Sequence, residues 1–578
     1  MSSLSGQRYQ LWKQIFACFL LLVSLSSYTV LNLSWHWFEE TSWGRFGNHL
    51  PYLISALGQF LPFIDPELWT AYWEYIEKND NKLSFFLHLT IPVAFSICVA
   101  LWITHWLLWV KGGRENLIHE KGAMLMNGKR AIKHANRMYK QDLKSNELSE
   151  PGISIHPKIS ICTQREQNNV AIFGTTGAGK SMAFKPLVAQ AIERGDYALI
   201  YDEKGEYTSE FFTLGSTLLL APWDERSHIW DIYKDVKTKQ DAKLIAQCLI
   251  PDSSEKEGIW VKGARLLFTG MILTQIRTNR NWGWHELSDM LKTPQIEMQE
   301  YLKVHFPIAH SFIQENSKTT QGFYVHLISD LNWIEDLALA WSDGAGEKFS
   351  VKDWVNREDH EKRVIIIQAD SRFESIGAPL CNAIVSLVTR NYLARDEGAE
   401  RKTWLFIDEF ANLPKNPTIK KWLELARSRG ARSVICTQSI SQIRQIYGND
   451  DTDAILNLLS NVISLRVGAG GDDARYLSKL FGEQEVLKPN SKNGRSDWGR
   501  VRQQVVEEFE LTQLKPSSNK GVEGFLFVPS WKSALRLTWP IFKSQTVSNR
   551  HVPAKWLLDV ANGNEKRVRK NRLNRGLK

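Results

Sequence analysis

The stretch Val170–Ser181 reads VAIFGTTGAGKS: four apolar residues, then a glycine-rich turn that closes on Lys180 and Ser181. Unbroken apolar character over VAIF fits a strand buried on both faces, and the residues after Ser181 are compatible with a helix. The turn fits G-x-x-x-x-G-K-[ST]. In that pattern glycines let backbone N–H groups curl around phosphate oxygens, the lysine reaches the terminal phosphates and the hydroxyl meets Mg²⁺. Gly174, Thr175, Thr176, Gly177, Ala178, Gly179, Lys180 and Ser181 are thus the candidate phosphate cradle, with Ser181 a candidate metal ligand. With glycine at about 7% of residues, a chance match in a chain this long is on the order of a few in a hundred.

Outward from that turn the same grammar repeats. Six further apolar runs read as strands: YALIY (Tyr197–Tyr201), VIIIQA (Val364–Ala369), TWLFID (Thr403–Asp408), SVICTQ (Ser433–Gln438), VISLRV (Val462–Val467) and GFLFV (Gly524–Val528). Separated by helical stretches, they predict an α/β fold around a parallel sheet. The run TWLFID ends on Asp408-Glu409, an acid pair at a strand end. Paired with an upstream phosphate turn, Asp408 would hold Mg²⁺ and Glu409 would orient or deprotonate water. Between Asp235 and Trp341 helical spacing dominates, as in DAKLIAQCLI and GARLLFTGMILTQI, so 235–345 reads as an all-α insertion dividing an α/β domain of 156–234 and 346–548. The polar stretch Lys488–Arg500 reads as a loop, and 549–578 as a basic tail, disordered beyond Val560.

Toward the N-terminus, no Asp, Glu, Lys or Arg occurs from Gln14 to Phe38 or from Leu83 to Val110. Each run could cross about 30 Å of hydrocarbon as a helix, so 1–110 reads as a membrane anchor with spans near 14–34 and 84–110. A cleaved leader is the rival for the first run, but no small-residue cleavage site follows it. Residues 35–83 between the spans are acidic, whereas the connector 111–155, read as polar and helical, is basic at its start: 111–144 carry nine Lys/Arg against three acids. The positive-inside rule then puts both termini in the cytoplasm and 35–83 outside it.

The 578 residues carry a formal charge of +9. Divided along the chain it is −2 over 1–110, +6 over 111–144, −2 over 145–549 and +7 over 550–578. The excess therefore sits beside the membrane and in the tail, where anionic lipid accounts for the first part, and the α/β body is near neutral. The six cysteines lie far apart with no C-x-x-C pair, which excludes a disulfide framework and a zinc knuckle. No His cluster or paired catalytic Tyr points to phosphodiester cleavage, and His134, His156 and His228 are isolated.

The order of these motifs resembles the conjugative coupling proteins, the TraD/TraG/TrwB family of FtsK-like membrane ATPases of type IV secretion systems. The likeness runs through two N-terminal spans, GTTGAGKS, YDEKGEY (Tyr201–Tyr207), LLAPWDERS (Leu219–Ser227), LFIDEFANLP (Leu405–Pro414), ELARSRG (Glu424–Gly430) and ICTQSISQ (Ile435–Gln442). Ala221 departs from it, since the family often has Asn before the proline, and no long acidic C-terminal tail is present. The resemblance implies ATP and Mg²⁺ as cofactors, a RecA-like ATPase domain and a homo-hexamer in the inner membrane. Its implied partners are relaxase-bound single-stranded DNA, the inner-membrane components of the secretion channel and membrane lipids. It assigns Arg427 as an arginine offered to a neighbouring subunit's phosphates, Gln438 as a polar sensor and Trp260 as an aromatic lining the pore mouth. For Trp260 a helix–helix core role is the competing reading; Asp202, Lys204 and Glu206 share the family motif without a derivable role, and surface charge is their plain reading. Two other classes compete: a double-stranded DNA pump of the chromosome-segregation type, and an adaptor that uses nucleotide only to assemble.

Overall fold

The computed structural model describes residues 16–33, 46–59, 65–79, 82–108, 118–145, 150–250, 258–342 and 346–561, apart from 18, 280, 315–316, 398–400, 414 and 493–494 within them. The chain divides into two compact units, 1–117 and 118–578. In the first, Lys82–Leu108 is one helix of 27 residues. Its segment Lys82–Ile103 is long and apolar enough to cross a membrane, with a mean hydropathy of 2.1. Phe19–Leu33 is apolar but shorter. The helices Phe46–Ala56 and Glu67–Lys78 pack through Tyr72, whose ring stacks on Tyr52 at 4.8 Å and whose hydroxyl meets His49 Nδ1 at 2.7 Å.

The second unit is built on a ten-stranded sheet. In chain order its strands are β1 (Met124–Asn127), β2 (Val170–Phe173), β3 (Tyr197–Asp202), β4 (Thr217–Leu220), β5 (Val364–Gln368), β6 (Thr403–Ile407), β7 (Ala431–Thr437), β8 (Asn461–Ser464), β9 (Val522–Phe527) and β10 (Ser533–Trp539). Across the sheet the order is β1-β10-β9-β8-β2-β7-β6-β3-β5-β4. From β8 to β4 every pairing is parallel. These strands are buried at every position, which is why their sequences run apolar instead of alternating. Beyond β8 the sheet turns antiparallel through β9 and β10, and β1 closes that edge parallel to β10.

Two sequence expectations are corrected here. The segment 118–145 is not a purely helical connector: Ile118–Gly122 and β1 are strands, and only Gly128–Ser145 is helical. An edge strand needs only four residues of extended backbone, too short for a period to show. Lys488–Arg500 is not a loop, because its described residues lie in a hairpin of Glu483–Lys492 against Arg495–Gln504, to which Ile118–Gly122 adds a third strand. Cross-strand hydrogen bonds, not an apolar pattern, define those arms. The start of the tail is ordered: Asp224 bridges to Pro553, and Lys555–Ala561 is helical. Residues 562–578 lie outside the described ones.

From Ile232 to Ala340 the described elements are all helices. They leave and rejoin the sheet side by side, because Ile229–Trp230 pairs in parallel with Lys348–Phe349. Asp235, fully buried, fastens this neck by accepting from Trp230 Nε1 (2.7 Å), Ser350 Oγ (2.6 Å), Val351 N (2.8 Å) and Lys352 N (2.9 Å). Within the helices, Gly258–Thr278 and Lys318–Leu331 lock reciprocally. A Cβ on Gly263 would lie 2.1 Å from Phe323, and one on Gly322 would lie 2.4 Å from Trp260.

One buried ion cluster ties the P-loop strand to its surroundings. Glu166, four residues before β2 and fully buried, accepts from Ile153 N (2.6 Å), Arg194 Nη1 (2.8 Å) and Arg432 Nε (2.8 Å). Removing the carboxylate would leave the buried Arg432 guanidinium without its carboxylate partner, while Arg194 keeps Asp196. Glu166→Ala is expected to lower stability by about 3–5 kcal/mol, read as a fall in the denaturant midpoint of the full chain, with Glu166→Gln intermediate.

Candidate nucleotide site

At the carbonyl end of β2 the chain turns through Gly174–Gly179 into the helix Lys180–Glu193. Gly177 and Gly179 have φ of 74° and 89°, a region that L side chains rarely adopt. Gly179 also faces Val522 of β9, where a Cβ would lie 2.5 Å from Cγ2. The turn is held from outside: Gly174 N donates to Thr437 O (3.2 Å) and Thr175 N to Arg466 O (2.9 Å). Within it Ala178 N donates to Thr175 O (3.0 Å), which closes the turn into the curl that a phosphate cradle needs.

Because β7 lies between β2 and β6, the acid pair after β6 stands two strands over from the turn. Glu409, 6% exposed, has Oε2 3.4 Å from Lys180 Nζ. Lys180 Nζ also donates to Gly174 O at 2.9 Å. Gln438, at the end of β7, joins the two sides: its Oε1 accepts from Thr176 Oγ1 (2.6 Å) and its N–H donates to Glu409 Oε1 (3.3 Å). Burial pushes the Asp408 carboxyl up to about 6; the Tyr207 hydroxyl and the Lys180 ammonium pull the other way, and Glu206 and Glu409 add to the rise. A carboxyl disfavoured as an anion in this pocket is one that a divalent cation would ionise. Ser181, at the second helical position, is half-buried.

Not every expected residue joins this cluster. Arg427 lies before β7, so the length of a seven-residue strand, roughly 23 Å at about 3.3 Å per residue, separates it from its own chain's phosphate turn. It is exposed. Its neighbour Arg429 is engaged by Arg395 O (2.8 Å) and Glu397 (3.4 Å). Trp260 packs against Gly322 and, edge to face at 5.9 Å, against Phe323.

Asp202 is not a surface charge. It is fully buried at the end of β3, where Oδ2 accepts from Thr208 N (2.7 Å) and Oγ1 (2.8 Å), and burial raises its pKa despite those bonds. Glu206 is half-buried and pairs with Lys185 of the P-loop helix at 3.1 Å, whereas Lys204 is exposed. Tyr207, fully buried beside Asp408, was not anticipated. Its signal was faint: a tyrosine just past a glycine at a strand end, in a motif whose charges drew attention first.

A parallel sheet with a phosphate turn on one strand and a buried acid pair two strands away defines a RecA-like P-loop nucleotide-binding protein. A family model for the type IV secretion-system coupling protein DNA-binding domain matches residues 153–513. The chain belongs to that family. It is 27% identical over 414 residues to coupling protein TraD of Escherichia coli K12, covering 70% of this chain and 55% of that protein, so it spans about half of that relative's length. It is also 23% identical over 203 residues to conjugal transfer protein TraG of Rhizobium radiobacter, covering 35% of this chain and 31% of that one. In fold it is similar to the conjugative coupling protein TrwBΔN70, with a TM-score of 0.65, 20% identity and coverage of 76% of this chain and 98% of that one. TrwB with the ATP analogue ADPNP gives a TM-score of 0.64 at 21% identity, covering 77% and 99%.

Gly179→Ala is expected to weaken binding of a nucleoside triphosphate at least about tenfold in calorimetric titration and to destabilise the fold by about 1–2 kcal/mol. Adding Val522→Ala would relieve the clash but not the backbone strain, so recovery should be partial.

Proposed function

We propose that this chain is an inner-membrane motor of conjugative transfer, an ATP-hydrolysing coupling protein that takes relaxase-bound single-stranded DNA and passes it to a type IV secretion channel. The observation that carries the reading is the meeting of Lys180, Glu409 and Gln438 at the carbonyl ends of neighbouring strands, in a chain of the coupling-protein family. TrwB is described in complex with a non-hydrolysable ATP analogue and with ADP and Mg²⁺. The residues here fit the same groups, since the positive-φ glycines make a cradle that side chains would fill. Gly174–Ser181 would hold the phosphates, and Ser181 with Asp408 would hold Mg²⁺. Bound there, MgATP supplies the phosphoryl group to be transferred to water.

The protein's own residues then divide the labour. Lys180, at present shared between Gly174 O and Glu409, is the cation that neutralises phosphate charge. Glu409, freed from Lys180, accepts a proton from water through Oε2. Gln438 couples the state of Glu409 to Thr176 on the phosphate turn. Arg427, exposed and a strand's length from its own site, is suited to a neighbour's site in a hexameric ring, where a fixed guanidinium stabilises transition-state charge. Lys82–Ile103 supports a membrane anchor, with 14–34 as the second span, both termini cytoplasmic and 35–83 on the other side. The basic stretch 111–144 would then meet anionic lipid.

Lys180→Ala and Glu409→Gln are each expected to lower ATP turnover roughly a hundredfold or more and to abolish transfer of a mobilisable plasmid. Turnover of the unmodified protein should rise with single-stranded DNA more than with duplex. Stimulation by duplex alone would favour a chromosome-type pump, and stimulation by neither would favour an adaptor.

If Arg427 acts across a subunit boundary, Arg427→Ala should be inactive alone yet regain part of its turnover when mixed with Lys180→Ala, since mixed rings contain intact composite sites. No regain on mixing would remove Arg427 from that role.

A further inference from the structure

The sequence reading took 549–578 as a basic tail and gave its first part no role; that part is strapped across the carbonyl ends of β3, β5 and β4. Val547 N and Ser548 N donate to Ser209 O (2.8 and 3.1 Å), Arg550 O accepts from Gln368 Nε2 (3.0 Å), and Ala554 N donates to Trp223 O (2.9 Å). Trp556 Nε1 donates to Pro222 O (2.8 Å), which pins the far end. The strap presses closely: Arg550 O lies 3.0 Å from where a Cβ on Gly205 would stand. Gly205, at φ 68°, is the residue from which the short helix Glu206–Phe211 starts.

That helix carries both a partner of the P-loop helix and a neighbour of the metal-side acid. Glu206 and Glu210 pair with Lys185 (3.1 and 2.6 Å), five residues beyond Lys180. Tyr207 stands beside Asp408 with its ring edge-on to Phe184 of the P-loop helix at 5.4 Å. The underside of the helix is fixed by Asp202 and Thr208, and Gln368 ties Thr208 Oγ1 (2.7 Å) to the strap. A force on the strap is therefore delivered at the helix start, and the helix touches both halves of the nucleotide site.

We propose that residues 547–556 are a positioning strap for the hydrolytic site: by clamping Gly205 and Gln368 they hold the helix Glu206–Phe211, and through Lys185 and Phe184 the P-loop helix, in the arrangement required for turnover. This rests on the ATPase reading above. The strap leads directly into 557–578, which carries a charge of +5, so a polyanion that engages the tail pulls on the element that sets the site.

The test compares four preparations in lipid nanodiscs: the unmodified full chain, chains lacking 562–578 or 547–578, and full-length Trp556→Ala, which loosens the strap without removing it. Amide hydrogen exchange of 205–211 and steady-state ATP turnover are read together. Loss of 547–578 is expected to speed exchange of 205–211 about tenfold or more and to lower kcat about fivefold, with KM for ATP within about twofold. Trp556→Ala should do the same more weakly, and loss of 562–578 alone should leave both near the unmodified values. Unchanged exchange on strap removal overturns the proposal, as does faster exchange with unchanged kcat, or a loss confined to KM. If the unmodified protein turns over no ATP, the motor reading fails on its own, and exchange in 205–211 with and without the strap decides the clamp.

Discussion

Parallel strands buried on both faces can offer polar groups to solvent only at their ends, and this constraint organises the whole α/β body. With side chains of β2, β3, β5, β6 and β7 committed to the core, any chemistry has to be carried by residues just past each strand. Gly174, Asp202, Asp408 and Gln438 all stand there. The sheet order then decides who meets whom: β7 between β2 and β6 puts Gln438 between the phosphate turn and the acid pair. The same constraint leaves the opposite ends of the strands with a different task, and Arg427 lies on that side.

Within the site, charges are balanced by sharing. Lys180 faces a carbonyl and a carboxylate, so neither charge is buried alone. Asp408 is treated differently: its surroundings raise it, which stores a preference for a cation in the folded state before any ion arrives. Glu166 shows the contrasting structural use of a buried acid, surrounded by donors and closed to further ligands.

The phosphate turn and the strand–acid junction were legible because each is a local rule: glycine where φ must be positive, an unbroken apolar run where both faces are covered. Seven strands were read from their apolar character. β4 hides within the longer apolar motif LLLAPW, and β1 and β10 sit at or near the edge, where a short or alternating pattern is less distinctive. The hairpin 483–504 is polar, so pairing alone defines it. What could not be read at all were meetings across sequence distance. Tyr207 beside Asp408, Val522 behind Gly179 and Arg550 over Gly205 join segments about 200 to 345 residues apart, and nothing in one segment announces the other.

The phosphate turn carries one of the earliest motifs of the α/β body, but its supports come late: Thr437, Arg466 and Val522 are hundreds of residues downstream. A chain still leaving the ribosome would therefore have its apolar N-terminal helices exposed long before it could shape that turn. The contacts around the turn are complete only after β9 has joined the sheet. Synthesis order thus separates in time the emergence of the N-terminal helices from the completion of the phosphate turn.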